Sequence, residues 1–152
     1  MRNAHALSML QALRRLQQAA EVHSKSLGRE GELTPLHLLI LQVVALEEEI
    51  TAGQLGRHVA LSQSSLSSAL ARLESRGLLT RRRDAEDRRK QWLSLEVAGH
   101  QALVEAPELL PEHALERFSG LPEWEQHAIL AGLLRAAELF ETPGVGVEEE
   151  EF

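Results

Sequence analysis

Apolar residues recur every three or four positions in two long segments near the ends of the chain, which is the spacing of an amphipathic helix. The first segment, residues 6–27, has the apolar set Leu7, Leu10, Leu13, Leu16, Ala20 and Leu27. The second follows Pro122 and has the apolar set Ile129, Leu130, Leu133, Leu134, Ala137 and Phe140. Each stripe needs an apolar partner surface, and neither has one next to it in the sequence.

A third helix is predicted in the first half of the chain. Thr34 followed by Pro35 is a helix start, because threonine can cap the first turn and proline suits the first helical position. The run that follows, LHLLILQVVAL at residues 36–46, is almost continuously apolar. It predicts a helix that is buried on most of its surface and that ends near Glu47.

Two short helices joined by a turn are predicted next. Thr51 is the capping residue of the first, and Ser62 opens the second, which Gly77 ends. The second helix has an apolar stripe and, opposite it, a polar face of small side chains with one arginine. The stripe is Leu66, Ala69, Leu70 and Leu73, and the polar face is Gln63, Ser64, Ser65, Ser68 and Arg72. This arrangement is typical of a helix-turn-helix.

A charged hairpin follows the helix-turn-helix. Two short apolar runs, residues 78–80 and 92–95, flank a polar tip and predict two β-strands. Eight basic and four acidic residues lie between Arg72 and Lys90, a local net charge of +4 in a chain whose net charge is −7. A basic patch on an acidic body, next to a polar helix face, favours docking on phosphate in one orientation. The hairpin is therefore interpreted as a wing.

The remainder of the chain is acidic. From Gln91 to the end there are two basic and thirteen acidic residues, so this part is not expected to touch DNA. Pro107 and Pro111 interrupt a helical segment at residues 97–118 and predict a kink or a split. The last eleven residues, TPGVGVEEEEF, predict a disordered tail.

Composition excludes several classes of protein. The chain has no cysteine, which removes disulfides and thiolate metal sites. No two of its seven histidines lie three or four residues apart, so no metal or other cofactor is expected. A nucleophile elbow and a glycine-rich phosphate loop are both missing, and an enzyme is not expected. Without an apolar leader or membrane span the chain is predicted to be cytoplasmic, with no membrane partner.

The two terminal amphipathic helices predict a homodimer. Packed on each other and on the same elements of a second copy, they would bury both stripes and present two reading heads. Half-sites in DNA that repeat about one helical turn apart match such a two-fold protein. The alternative is a monomer in which the terminal helices fold back onto their own head.

In the order of its parts, the chain resembles the MarR family of bacterial transcription regulators over about residues 7–140. The resemblance lies in the helix pair TAGQLGRHVALSQSSLSSALARLESRGLL and in the wing RRRDAEDRRKQWLSLEVAG. The family's wing turn reads aspartate, proline, any residue, aspartate and two arginines. Asp84, Asp87, Arg88 and Arg89 match it, whereas Ala85 stands where proline is usual.

A second departure concerns the helix after the wing. The family's Leu-Thr pair appears here as Leu95-Glu96, so the hydroxyl that usually starts that helix is missing. Either Ser94 substitutes for it or the helix begins loosely.

The resemblance implies a mainly α fold with a small β-wing, in which a winged helix-turn-helix joins a helical dimerisation region. The expected divisions are an N-terminal dimerisation helix at 1–33, the winged helix-turn-helix at 34–95, C-terminal dimerisation helices at 96–141 and a disordered acidic tail at 142–152. The dimer would be triangular, with the heads at two corners.

The resemblance also assigns roles by position. Residues closest to base edges in the major groove would be Gln63, Ser64, Ser65 and Ser68, and those at the DNA backbone would be Ser62, Arg72, Arg81, Arg82, Arg83 and Lys90. Arg88 and Arg89 at the wing tip would approach the minor groove. Asp87 would orient an arginine through a charge-assisted hydrogen bond.

Regulators of this family commonly bind a small molecule between the dimerisation helices and the head. Candidate lining residues are His23, His37, Trp92 and His100, although each also has an ordinary structural explanation. A finer resemblance, in ALRRLQQAAEVHSKSL, SLSSALARLESRGLL and LPEWEQ, is to the branch that controls compatible-solute genes such as those for ectoine. It implies an osmotic or related metabolic signal.

Two functions are therefore weighed. The first is a dimeric regulator, most simply a repressor, that binds a pseudo-palindromic operator in double-stranded DNA and responds to a small molecule or to ionic conditions. The second is a winged-helix module that meets an acidic protein through its basic wing and has no specific DNA binding. Selective binding to an operator distinguishes the two.

Overall fold

The structure is a computed structural model that describes residues 3–27 and 33–141. Within that part of the chain the elements are α1 (Ala4–Leu27), α2 (Pro35–Leu46), β1 (Ile50–Thr51), α3 (Ala52–His58), α4 (Gln63–Ser75), β2 (Leu79–Arg83), β3 (Gln91–Leu95), α5 (Val97–Glu105), α6 (Glu112–Ser119) and α7 (Glu123–Phe140). The chain divides into two compact units, one ending at Leu110 and the other beginning at Pro111. Gly28 and Gly31 predict a loop between α1 and α2. This segment and the predicted tail from Thr142 lie outside the described residues.

The sheet is small and antiparallel, with strand order β1-β3-β2. The hairpin of β2 and β3 confirms the predicted wing, and Leu93 of β3 stands opposite both Arg81 of β2 and Ile50 of β1. The sequence pattern did not indicate β1. Two residues are too short for an alternating pattern, and their pairing depends on β3, some forty residues later in the chain.

The apolar core of the head lies among α2, α3, α4 and the sheet. Its most completely buried side chains are Ile40, Leu41, Ile50, Leu55, Leu70, Leu73 and Leu79. The predicted stripe of α4 is confirmed, since Leu66, Ala69, Leu70 and Leu73 are all buried. Burial of that stripe leaves the polar face of α4 at the surface.

The three predicted helix starts are confirmed as hydrogen-bonded caps. The amides of His37, Gln54 and Ser65 donate to the hydroxyls of Thr34, Thr51 and Ser62 at 3.2, 3.2 and 3.3 Å. Gly77 is also confirmed as the stop of α4, because it has a φ of 70°, in the left-handed region that favours glycine.

The helix after the wing has no side-chain cap. Glu96 occupies the N-cap position without a side-chain hydrogen bond, and Ser94 lies within β3, so Ser94 does not replace the missing hydroxyl. Instead the amide of Glu96 donates to the carbonyl of Leu78 at 3.0 Å. A backbone contact to the chain just before β2 therefore fixes the start of α5.

The prediction that α2 is buried on most of its surface is wrong for one face. Five of its twelve residues are buried, but Leu39 and Leu46 are 37% and 82% exposed. An all-round apolar sequence does not reveal which face meets the rest of its own chain. The predicted split at the prolines is confirmed, because α5 ends at Glu105 and α6 begins at Glu112, directly after Pro111.

Among the described residues, no helix combines the length and the apolar character needed to cross a membrane.

His37 completes the cap of α2 as a neutral ring. Its Nδ1 accepts a hydrogen bond from the Thr34 amide at 3.3 Å, and the residue is buried, with 8% of its surface exposed. Burial, followed by the positive charges of Arg72 and Arg76, lowers the pKa of His37 from its ordinary value of 6.5. As the pH falls, the imidazole of His37 takes up its proton in the unfolded chain before it does so in the folded protein. The free energy of unfolding should therefore fall as the pH drops from 6.5 toward the lowered pKa of the folded state.

The variant His37→Gln should lose this component of the pH dependence, because glutamine can make the same capping contact without titrating. The measurement is the free energy of unfolding in urea at pH 7.5 and pH 5.0. A matched control is His58→Gln, at an exposed position in α3. Equal losses of stability in wild type and His37→Gln between the two pH values would contradict the assignment.

Candidate nucleic-acid interface

The outward face of α4 presents short polar side chains. Gln63, Ser64, Ser65 and Ser68 are all exposed, as is Arg72 one turn further on. In the first turn the hydroxyl of Ser62 donates to that of Ser65 at 3.0 Å and accepts from the Ser65 amide. The serine hydroxyls therefore lie in a defined arrangement from which they can donate to, or accept from, base edges.

The turn before α4 brings the two helices of the motif close together. Ala60 has a φ of 51°, and the amide of Leu61 donates to the carbonyl of Gly56 at 3.1 Å. At Gly56 a Cβ would lie 3.3 Å from the Leu66 side chain, so a small residue suits this helix contact. The geometry is that of a helix-turn-helix whose second helix faces outward.

Arg57 and His58, at the end of α3, are further candidate contacts that the sequence reasoning missed. Both are exposed, and with Gln54 they line a shallow concavity. The first helix of a helix-turn-helix crosses the DNA backbone. This docking rule could have identified Arg57 from the sequence. The basic patch was defined only between Arg72 and Lys90, so it left Arg57 out.

The wing carries six of the sixteen basic residues of the chain. Arg82 stands opposite Trp92 in the hairpin and Arg83 opposite Gln91. The side chains of the tip, which we define as residues 84–90, include three exposed cations. Exposed wing cations in total are Arg82, Arg83, Arg88, Arg89 and Lys90.

Asp87 lies against Arg89, the second arginine of the tip. Its Oδ1 accepts hydrogen bonds from the Arg89 backbone amide at 3.1 Å and from Arg89 Nε at 3.2 Å. The side-chain hydrogen bond from Arg89 is the main cause that lowers the pKa of Asp87. The contact is a charge-assisted hydrogen bond, and a role for it in DNA binding remains a prediction.

Asp84 binds three donors. Its Oδ2 accepts from the amides of Glu86 and Asp87 at 3.1 and 2.9 Å, and its Oδ1 accepts from Trp92 Nε1 at 2.9 Å. The indole hydrogen bond is the largest of the effects that lower the pKa of Asp84. The sequence reasoning identified Asp84 only as a match to a family motif.

Arg81 differs from its two neighbours. Its Nε and Nη2 donate to the two carboxylate oxygens of Glu74, each at 3.1 Å, and its side chain is 26% exposed. Hydrogen bonding to Arg81 lowers the pKa of Glu74. This bidentate pair joins α4 to β2, so Arg81 has a protein partner, whereas Arg82 and Arg83 are exposed. A phosphate contact by Arg81 remains a prediction.

The four candidate effector residues have separate surroundings. His37 caps α2 and Trp92 binds Asp84, as described above. His23 Nε2 lies 3.0 Å from the carbonyl oxygen of Glu108, and His100 is exposed on α5. An effector site at these residues remains a prediction. Among the described residues there is no cluster of three histidine or carboxylate side chains placed to hold a metal ion.

Comparison with known proteins gives a consistent result. Residues 32–90 match the model of the MarR family. The HTH-type transcriptional regulator SarZ of Staphylococcus saprophyticus is 31% identical over 71 residues, which are 47% of this chain and 49% of SarZ. The chain therefore aligns with about half the length of this relative.

Two solved structures extend the similarity over most of the chain. The transcriptional regulator BldR from Sulfolobus solfataricus has 26% identity and a TM-score of 0.71, over 91% of this chain and 99% of BldR. PcaV from Streptomyces coelicolor, solved with its natural ligand, has 25% identity and a TM-score of 0.66, over 86% of this chain and 92% of PcaV. The predicted fold class is confirmed. All three of these similar proteins are described as transcription regulators.

Proposed function

We propose that the chain is a dimeric transcription regulator that binds operator DNA, because residues 32–90 match the model of the MarR family. The observation that carries the proposal is the surface of the head. The polar face of α4 and the cationic wing are both exposed, while the apolar side of α4 is buried. The head therefore offers a polar reading helix and a cationic arm, which suit the two grooves of a duplex.

The proposed readout divides the residues of this surface by role. Gln63, Ser64, Ser65 and Ser68 of α4 face base edges in the major groove, and Arg88 and Arg89 enter the minor groove. Phosphate contacts come from Ser62, Arg72, Arg81, Arg82, Arg83 and Lys90, with Arg57 as an addition. Phosphate contacts set position and affinity, whereas the serine face and the shape of the minor groove provide sequence selectivity.

The terminal helices support a homodimer rather than a monomer. Neither α1 nor α7 contains a buried residue. In α1, Leu7 and Leu10 are 59% and 55% exposed, and in α7, Leu134 and Phe140 are 66% and 58% exposed. Apolar stripes of this length need a partner surface. A second copy would cover them and supply the second head that a pseudo-palindromic operator requires.

The proposed divisions of the chain follow from these roles. Residues 1–33 and 96–141 form the dimerisation region, and residues 34–95 form the head. We further propose that the protein is a repressor whose operator lies near its own gene. Its signal would be a small molecule or the ionic strength of the cytoplasm, as the resemblance to regulators of compatible-solute genes suggests.

A binding titration tests the proposed function. The purified protein is titrated into its own upstream DNA and into a scrambled duplex of equal composition, at 50 and 200 mM salt. With at least about six phosphate contacts across the two heads, the logarithm of the affinity should fall with the logarithm of the salt concentration with a slope of about −5 or steeper, a loss of about a thousandfold or more over this range. Two chains should bind each specific duplex.

Weak and equal binding to both duplexes would contradict the proposal and favour the alternative module for protein contact. Specific binding whose affinity changes little over this salt range would still support a DNA-binding regulator. It would exclude ionic strength as the direct signal of that regulator.

A further inference from the structure

The wing tip has no residue whose type alone defines the conformation of its backbone. Its sequence, DAEDRRK, contains neither proline nor glycine. Proline would fix a backbone angle, and glycine would permit the special angles of a tight turn. A loop of this composition is expected to sample many conformations, and ordering them on binding would weaken affinity.

One carboxylate compensates for that composition. The Oδ2 of Asp84 closes a turn over Ala85 by accepting from the amides of Glu86 and Asp87. Its Oδ1 accepts from the indole of Trp92, eight residues later on the opposite strand. Asp84 thus connects the start of the tip, the middle of the tip and β3 through a single side chain.

Two backbone hydrogen bonds add to the bonds of Asp84. Together with the Asp84–Trp92 contact they form a hydrogen-bonded frame around the tip. The Asp84 amide donates to the Lys90 carbonyl at 3.0 Å, and the Lys90 amide donates to the Asp87 carbonyl at 3.0 Å. Trp92 is held in β3 by pairing with Arg82 on one side and Thr51 on the other. Because an indole N–H can only donate, a rigid ring in this place needs an acceptor, and Asp84 supplies it.

We propose that Asp84 and Trp92 are positioning residues of the wing, which hold the tip in its DNA-reading conformation before DNA is bound. Arg88 and Arg89 then enter the groove from a loop that is already ordered, so less affinity is lost to ordering. The inference rests on the proposed DNA-binding function. It assigns to Trp92 a role in the wing instead of one in an effector site.

The frame is separate from the apolar core. Neither Asp84 nor Trp92 belongs to the cluster of buried residues, and both are only partly buried. The bond from the indole to the charged carboxylate is charge-assisted, and it is the largest of the effects that lower the pKa of Asp84. Loss of this bond should therefore change DNA affinity much more than global stability.

The substitution Trp92→Phe tests the proposal, because phenylalanine retains an aromatic, though smaller, ring and lacks the N–H donor. We expect the Kd for operator DNA to rise about tenfold, with an unchanged midpoint of urea unfolding. The salt slope should also be unchanged, because it reports the number of phosphates neutralised rather than the order of the loop. Asp84→Asn should act in the same direction. The matched control is Trp124→Phe, at an exposed tryptophan that lies outside the head and is not one of the apolar residues of the α7 stripe.

A direct readout of loop order accompanies the affinity. The chain has two tryptophans, so in Trp124→Phe the single indole N–H signal in a nitrogen-15 NMR spectrum belongs to Trp92. That signal should shift when Asp84→Asn is added. Amide exchange at Arg88 and Arg89 should be faster in Trp92→Phe than in wild type.

The outcomes separate this inference from the proposed function. If wild type does not bind operator DNA selectively, the proposed function fails and the inference fails with it. If wild type binds, and Trp92→Phe binds equally well with equally slow amide exchange in the tip, only the inference is overturned. It is likewise overturned if the loss of affinity in Trp92→Phe follows a matching loss of global stability.

Discussion

The double substitution Arg88→Ala and Arg89→Ala is expected to raise the Kd for operator DNA by about ten-thousandfold or more. Each charge-assisted contact contributes about 1.5–3 kcal/mol, and a dimer with two wings would lose four of them. Both side chains are exposed at the wing tip, so their removal should leave the fold unchanged. The loss should appear as weaker binding by a normally folded protein.

The measurement is a fluorescence anisotropy titration at two salt concentrations. The slope against salt should become less negative by about 3.6, because four cationic side chains no longer displace counterions. The matched control is Arg14→Ala with Arg15→Ala, which removes the same charge from exposed positions on α1. Equal losses of affinity in the two double variants would mean that net charge, rather than the wing, determines binding.

Gly99→Ala is expected to have the largest effect on folding. A Cβ at Gly99 would overlap the carbonyl oxygen of Leu78 and would lie 3.1 Å from the carbon of that carbonyl. The same oxygen accepts the hydrogen bond from the Glu96 amide at the start of α5. A Cβ is fixed by its own backbone and the oxygen belongs to the backbone of Leu78, so neither atom can rotate away. Helix α5 would therefore have to move. The free energy of unfolding should fall by about 3 kcal/mol.

Urea unfolding monitored by circular dichroism measures this loss. Gly53→Ala in α3 is the matched control, because a Cβ there meets no atom within 4 Å. The control should be unchanged or more stable by up to about 1 kcal/mol, since alanine reduces the freedom of the unfolded chain. A Gly99→Ala protein with the wild-type unfolding midpoint would contradict the close contact between α5 and Leu78.

The sequence by itself determined the local elements of the head. Thr34, Thr51 and Ser62 were predicted as caps, and Gly77 as a stop, because capping chemistry involves residues only a few positions apart. The buried stripe of α4 was also predictable, since helical spacing alone decides which of its residues share a face. The two strands of the wing followed from a short alternating pattern around a charged turn.

Only the tertiary structure decided how the wing and the reading helix are held. The pairing of β1 with β3, the bond between Arg81 and Glu74, and the bond between Trp92 and Asp84 all join different elements or opposite strands. The exposed face of α2 and the neutral, capping ring of His37 likewise depend on which surfaces meet. Residue type and spacing define what each side chain can do. Strand register and helix packing select the partner, because they bring residues that are distant in the sequence within hydrogen-bonding distance.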